Sequence, residues 1–188
     1  MQHYVSVLIV LFSVLVISCS NEPRFVIQGT VPAGKYEGEW IYSTPAEGNI
    51  LGRIDSCRIN NGRFRFEGDS EEVRIIRLRP VLRFVAEEML VVTEPGTIHV
   101  QVDSVSRIWG TRQNDLVQQW KNYVMRRNTI HRAYLYAYQH QAGEDVMAYL
   151  QKEVDSVNQA TNAETRSIIH RYPKSTIAAF FRHLTGLK

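Results

Sequence analysis

The groups in this 188-residue chain that could carry chemistry are two cysteines, six histidines and several clusters of arginine. His99, His131, His140, His170 and His183 do not fall at the spacing of a metal site, in which two ligands share a helix face with a carboxylate nearby. His131 and His140 land on different faces of a predicted helix, so solvated or partly packed roles account for them. There is no G-x-S-x-G elbow, no Ser-His-Asp order, no phosphate loop and no paired-carboxylate motif. Asp55 and Asp103 fit turns or strand ends. No catalytic residue, metal or cofactor is therefore expected, and the chain does not read as an enzyme. The arginines offer more. Arg74, Arg77, Arg79 and Arg83 recur along one stretch, and Arg126, Arg127 and Arg132 along another. They suit an anion or lipid-headgroup patch. Equally, they suit a solvated charged edge that keeps a strand from pairing with other chains.

Cys19 carries the most specific signal. It follows a short apolar run, residues 5–17, and the local sequence is Val16-Ile17-Ser18-Cys19. The run is too short for a comfortable membrane span and has the dimensions of a cleaved signal. Its ending resembles the lipobox of bacterial lipoproteins, in which the cysteine thiol is lipidated and becomes the first residue after cleavage. The stretch before the run, Met1-Gln2-His3-Tyr4, has no lysine or arginine, unlike most signals. Residues 1–18 then read as the signal peptide, and 19–23, including Ser20-Asn21-Glu22-Pro23, as a tether. A multiply acylated cysteine holds a protein to a bilayer far more firmly than one chain does. With Cys19 taken, Cys57 is the only thiol left. No internal disulfide and no dithiol site can form. In the alternation around it Cys57 shares a face with Ile59, which predicts a small core residue rather than a reactive thiol.

The first eighteen residues carry no Asp, Glu, Lys or Arg, so the formal charge of +3 belongs to the part from Cys19 onward. That balance is too mild for a nucleic-acid footprint, and none is expected as a partner. The length allows a real core.

The positioning elements change character near residue 110. Before it, Arg24–Gly29, Glu39–Tyr42, Ile54–Ile59, Arg63–Gly68, Val73–Leu78, Met89–Thr93 and Thr97–Val102 read as short strands. Asn60-Asn61-Gly62 predicts a primed hairpin turn. Pro95-Gly96 predicts a type II turn. In Arg63-Phe64-Arg65-Phe66-Glu67 the alternation is strict, aromatics to one side and charges to the other. After Gly110 the period becomes helical through Leu116, Trp120, Tyr123, Arg127, Ile130 and Tyr134. Gly143 should break the first helix. A second should run to about Tyr172, before Pro173, and Ser175 should cap a short last one. Tyr123, Tyr134, Tyr136 and Tyr138 exceed what one helix face can bury. Part of the cluster should pack on the β half, and the rest could offer a partner or glycan surface. The expected fold is α+β: an antiparallel β-sandwich or barrel-like N-terminal domain, residues 24–110, followed by an α-helical hairpin region, residues 111–188.

Four strings in the β half carry a resemblance. They are Phe25-Val26-Ile27-Gln28-Gly29, the run from Asp55 to Gly68, the run from Leu90 to Ile98, and Ile108-Trp109-Gly110-Thr111-Arg112-Gln113-Asn114. Together they resemble an uncharacterised β-rich domain of Bacteroidetes lipoproteins that often precedes a thioredoxin-like thiol:disulfide interchange domain. The resemblance covers roughly residues 24–115. It implies a fold and carries no catalytic residue. The sequence ends at Lys188, where such a redox domain is expected to begin, so redox activity is not carried over. The reading that follows is a lipid-anchored protein of a bacterial cell envelope, held by Cys19 in the outer membrane before the inner, acting as a non-catalytic binding or scaffolding module with a protein partner in the envelope. The alternative is an accessory of an envelope thiol-disulfide system that docks a separate thioredoxin-like protein.

Overall fold

The computed structural model describes residues 24–48 and 52–187, and Cys19 lies outside them. Eight strands come first: β1 Phe25–Thr30, β2 Trp40–Pro45, β3 Asp55–Arg58, β4 Arg63–Gly68, β5 Val73–Leu78, β6 Met89–Val92, β7 Gly96–Gln101 and β8 Arg107–Trp109. Three α-helices follow: α1 Arg112–Gln139, α2 Glu144–Arg171 and α3 Thr176–Thr185. The strands form two four-stranded sheets, ordered β4-β1-β7-β8 and β3-β2-β5-β6. The sheets face each other as a sandwich and do not close into a barrel. All pairings are antiparallel but one: β1 runs parallel to β7, with Phe25 opposite Gly96 and Thr30 opposite Gln101.

The Asn60-Asn61-Gly62 turn forms as its composition predicts. Asn61 and Gly62 both have positive φ, 52° and 67°, as a primed turn requires. The Glu37 carboxylate accepts from both of their backbone N–H groups, at 2.8 and 3.1 Å. This turn hands the chain from one sheet to the other, since β3 and β4 lie in different sheets. Pro95-Gly96 plays a similar part. It connects β6 to β7 across the sandwich rather than closing a hairpin, and Gly96 donates to the Arg24 carbonyl instead.

Between the sheets lie Ile27, Ile41, Ile76, Met89, Ile98 and Ile108, all essentially without solvent contact. The second sheet is buried on its other side too. Thr44, Val73 and Val92 point away from the first sheet and are nonetheless buried. α3 packs against β5 there, with Ile177 and Phe181 fully enclosed. Trp120 of α1 meets Phe181 at 4.9 Å between rings. Its indole N–H donates to Thr165 of α2 at 3.1 Å. Ser175 caps α3, its hydroxyl accepting from the Ala178 N–H.

α1 also seals one side of the sandwich. Asn114 accepts from the Val92 N–H at 2.8 Å and donates to the Val92 carbonyl at 2.7 Å, so its side-chain amide pairs with β6 as a neighbouring strand would. One turn on, Gln118 accepts from the Ile108 N–H of β8 at 2.9 Å. The i, i+4 spacing puts both amides on one helix face. A single stretch of helix thus occupies one margin of each sheet, β6 of the second and β8 of the first.

Candidate functional site

The helices cover the Thr44, Val73 and Val92 end of the outside of the second sheet and leave the outside of the first one bare. Its outward side chains follow from strand register. Arg65 stands opposite Gln28, Gln28 opposite His99, and His99 opposite Trp109. These four make one row across the whole sheet. The neighbouring row is Arg63, Thr30, Gln101 and Arg107. His99 and Trp109 stack with ring centroids 5.4 Å apart, and Trp109 keeps 45% of its surface exposed.

A cleft of about 650 Å³ lies over this face, lined by Gln28, Thr30, Arg63, Arg65, His99 and Trp109, with Cys57 and Arg58 at its rim. No carboxylate lines it. Arg65 is paired with Glu67 at 2.8 Å, both exposed. Arg58 stacks over Trp40 at 4.4 Å and donates to the Gly38 carbonyl. Arg63 has no ion-pair partner among the described residues.

The floor of the cleft depends on Gly29. Phe64, directly opposite it, lies across the glycine, and a β-carbon there would come within 1.9 Å of the ring. Cys57 is half-buried and packs against the core, in keeping with the sequence expectation. Burial pushes its thiol above the usual value of 9.0, and a hydrogen bond from the Arg65 backbone offsets only part of that. A thiol held protonated is a poor nucleophile.

The arginines expected to form an anion or headgroup patch do not converge. Arg74 is buried and faces into the end of the sandwich. It donates to Ser43 Oγ and the Ser43 carbonyl, both at 2.7 Å, and to the Arg53 carbonyl at 2.8 Å. It also pairs with Asp55 at 2.9 Å and Glu72 at 2.6 Å. It is a structural cation, not a surface one, because β5 is enclosed on both sides. Arg77 lies near Glu88 at 3.7 Å. Arg79 binds Glu39 through two bonds of 2.8 Å. Arg126, Arg127 and Arg132 lie on α1, and of the two sequence clusters only Arg132 and Arg83 share a cavity, of about 380 Å³. Of the tyrosine cluster, Tyr136 and Tyr138 are 64% and 67% exposed, as the outer part was expected to be, while Tyr123 and Tyr134 are half-buried. The aromatic side chains that pack on the core are Trp120, Tyr172 and Phe180.

Sequence reasoning missed the row on the first sheet. Its signal was the alternation in β4 and β7, where Arg63, Arg65, His99 and Gln101 all have outward parity. Which face stays open cannot be decided without knowing where the helices dock.

The architecture defines a class: a two-sheet β-sandwich with a helical unit closing one edge of each sheet. Residues 25–117 match the family model of DUF4369, a domain of unknown function. The matched stretch takes in the first turns of α1, including Asn114. No curated protein and no solved structure matches the chain.

Proposed function

We propose that this chain is a lipid-anchored protein of a bacterial cell envelope that works as a non-catalytic binding module, taking its ligand on the bare face of the first sheet. The observation that supports binding is the contrast between the two sheets. The outer face of the second is covered by helix at the end formed by Thr44, Val73 and Val92. The outer face of the first carries an ordered array of arginine, amide, imidazole and indole groups beneath an open cleft. Solvent-facing aromatic and arginine side chains are the residue types that carry interface energy. Support for the anchor comes from the residues around Cys19. No helix among the described residues is long and apolar enough to cross a membrane, so membrane attachment in this reading rests on the lipid. The outer membrane is the favoured location.

The anchor is tested by fractionating cells that express the chain and its Cys19→Ala variant. The wild type should sediment with membranes and the variant should be released. Retention of the variant in the membrane fraction would refute lipid anchoring at this residue.

A further inference from the structure

We infer that the bare sheet face takes an anionic carbohydrate, a chain of sugars carrying carboxylates; this rests on the reading of that face as the binding surface. Adjacent strands lie about 4.8 Å apart, so a row of four outward side chains spans roughly 14 Å. Along one such row the chemistry runs cation, amide, imidazole, indole: Arg65, Gln28, His99, Trp109. Along the next it runs cation, hydroxyl, amide, cation: Arg63, Thr30, Gln101, Arg107. Guanidinium forks match planar carboxylates in a way an ammonium does not. Gln28, Thr30 and Gln101 each hold both donors and acceptors, the complement of a hydroxyl. The exposed indole of Trp109 offers an apolar plate for a sugar ring. Arg65 is shared with Glu67 and Arg58 lies over Trp40, but Arg63 and Arg107 have no ion-pair partner among the described residues, and a neutral glycan would leave those guanidinium groups unused.

Two other polymers fit less well. An extended peptide that adds to a sheet needs an open strand edge; on β8 the Ile108 N–H is already held by Gln118, and on the other edge strand, β4, the Arg65 backbone is hydrogen-bonded to Cys57. Single-stranded nucleic acid is bound by a succession of aromatic plates. Here the cleft offers one exposed indole with an imidazole stacked against it, and the Phe64 ring in its floor is buried.

The test uses the full chain in detergent micelles, with polygalacturonate, dextran, polyglutamate and poly(dT) as probes, each titrated by calorimetry. Polygalacturonate should bind at least tenfold more tightly than the other three. Arg63→Ala and Arg65→Ala should each weaken it about tenfold, the scale of one charge-assisted hydrogen bond. Arg77→Ala, on the other sheet, should leave it unchanged. Dextran binding as tightly as polygalacturonate, with both lost in Trp109→Ala, would overturn the anionic class and leave the face as a binding surface. Tighter binding of polyglutamate or poly(dT) would overturn the carbohydrate. Polygalacturonate affinity that survives Arg63→Ala, Arg65→Ala and Trp109→Ala alike would overturn both the inference and the choice of this face.

Discussion

Arg74 and Arg79 are five residues apart on the chain and do opposite things. Arg79 is exposed and holds Glu39 at the surface, where an ion pair contributes little. Arg74 is enclosed, and its removal would strand the Ser43 and Arg53 carbonyls and loosen Asp55 and Glu72. Arg74→Ala should therefore cost about 3–5 kcal/mol of stability, and Arg79→Ala under about 1 kcal/mol. Urea denaturation of the two variants checks the contrast. Gly29 is a second such residue. Gly29→Ala must displace the Phe64 ring, which should cost about 3 kcal/mol by overpacking, read the same way. Cys57 makes a prediction about pH. Its pKa is raised in the folded protein, so the folded state holds the thiol proton more tightly than the unfolded one. The stability this gives is present below the ordinary thiol pKa. It is lost as pH rises through that value toward the folded one. At pH 7.5 the folded chain should react with iodoacetamide more slowly than it does in urea, and the gap should narrow above pH 9.

At the scale of elements, much of the fold could be read from side-chain pattern. Strict alternation in Arg63-Phe64-Arg65-Phe66-Glu67 marks β4 as one-sided, and the paired asparagines before Gly62 mark the turn that precedes it. The first helix stops at Gln139, four residues before Gly143, which instead caps the start of the next helix, and Pro173 follows the second helix because it cannot continue it. The parallel pairing of β1 with β7 was not legible, since it joins stretches far apart in sequence and leaves no local trace. The covering of the second sheet did leave one. Val73-Arg74-Ile75-Ile76-Arg77-Leu78 and Met89-Leu90-Val91-Val92 break the alternation with apolar residues on both sides, the mark of a strand buried twice. Asn114 was the least legible of all. An asparagine in the first turn of a helix reads as a local cap, and only the docked structure turns it into a partner for Val92. Asn114→Ala removes both bonds to a buried strand and should cost about 2–4 kcal/mol. Asn122→Ala, exposed two turns on, should be near neutral. Thermal melts of the two variants make the comparison.

At the scale of the whole molecule, one sheet is partly covered by helix on its outer side and the other is left to meet the surroundings. That asymmetry gives the sandwich a back and a front, with α1 as the seam between them. The seam has a consequence for time as well as for shape. Eight strands precede Asn114 and Gln118 in the chain, yet the backbones of Val92 and Ile108 reach their full complement of bonds only when that helix arrives. Interactions made after the folding barrier has been crossed act on the rate of escape rather than the rate of entry. In stopped-flow experiments the loss in Asn114→Ala should accordingly appear as faster unfolding with refolding little altered. The two side-chain amides then act as a latch on the finished sandwich, and they govern how long it persists once formed.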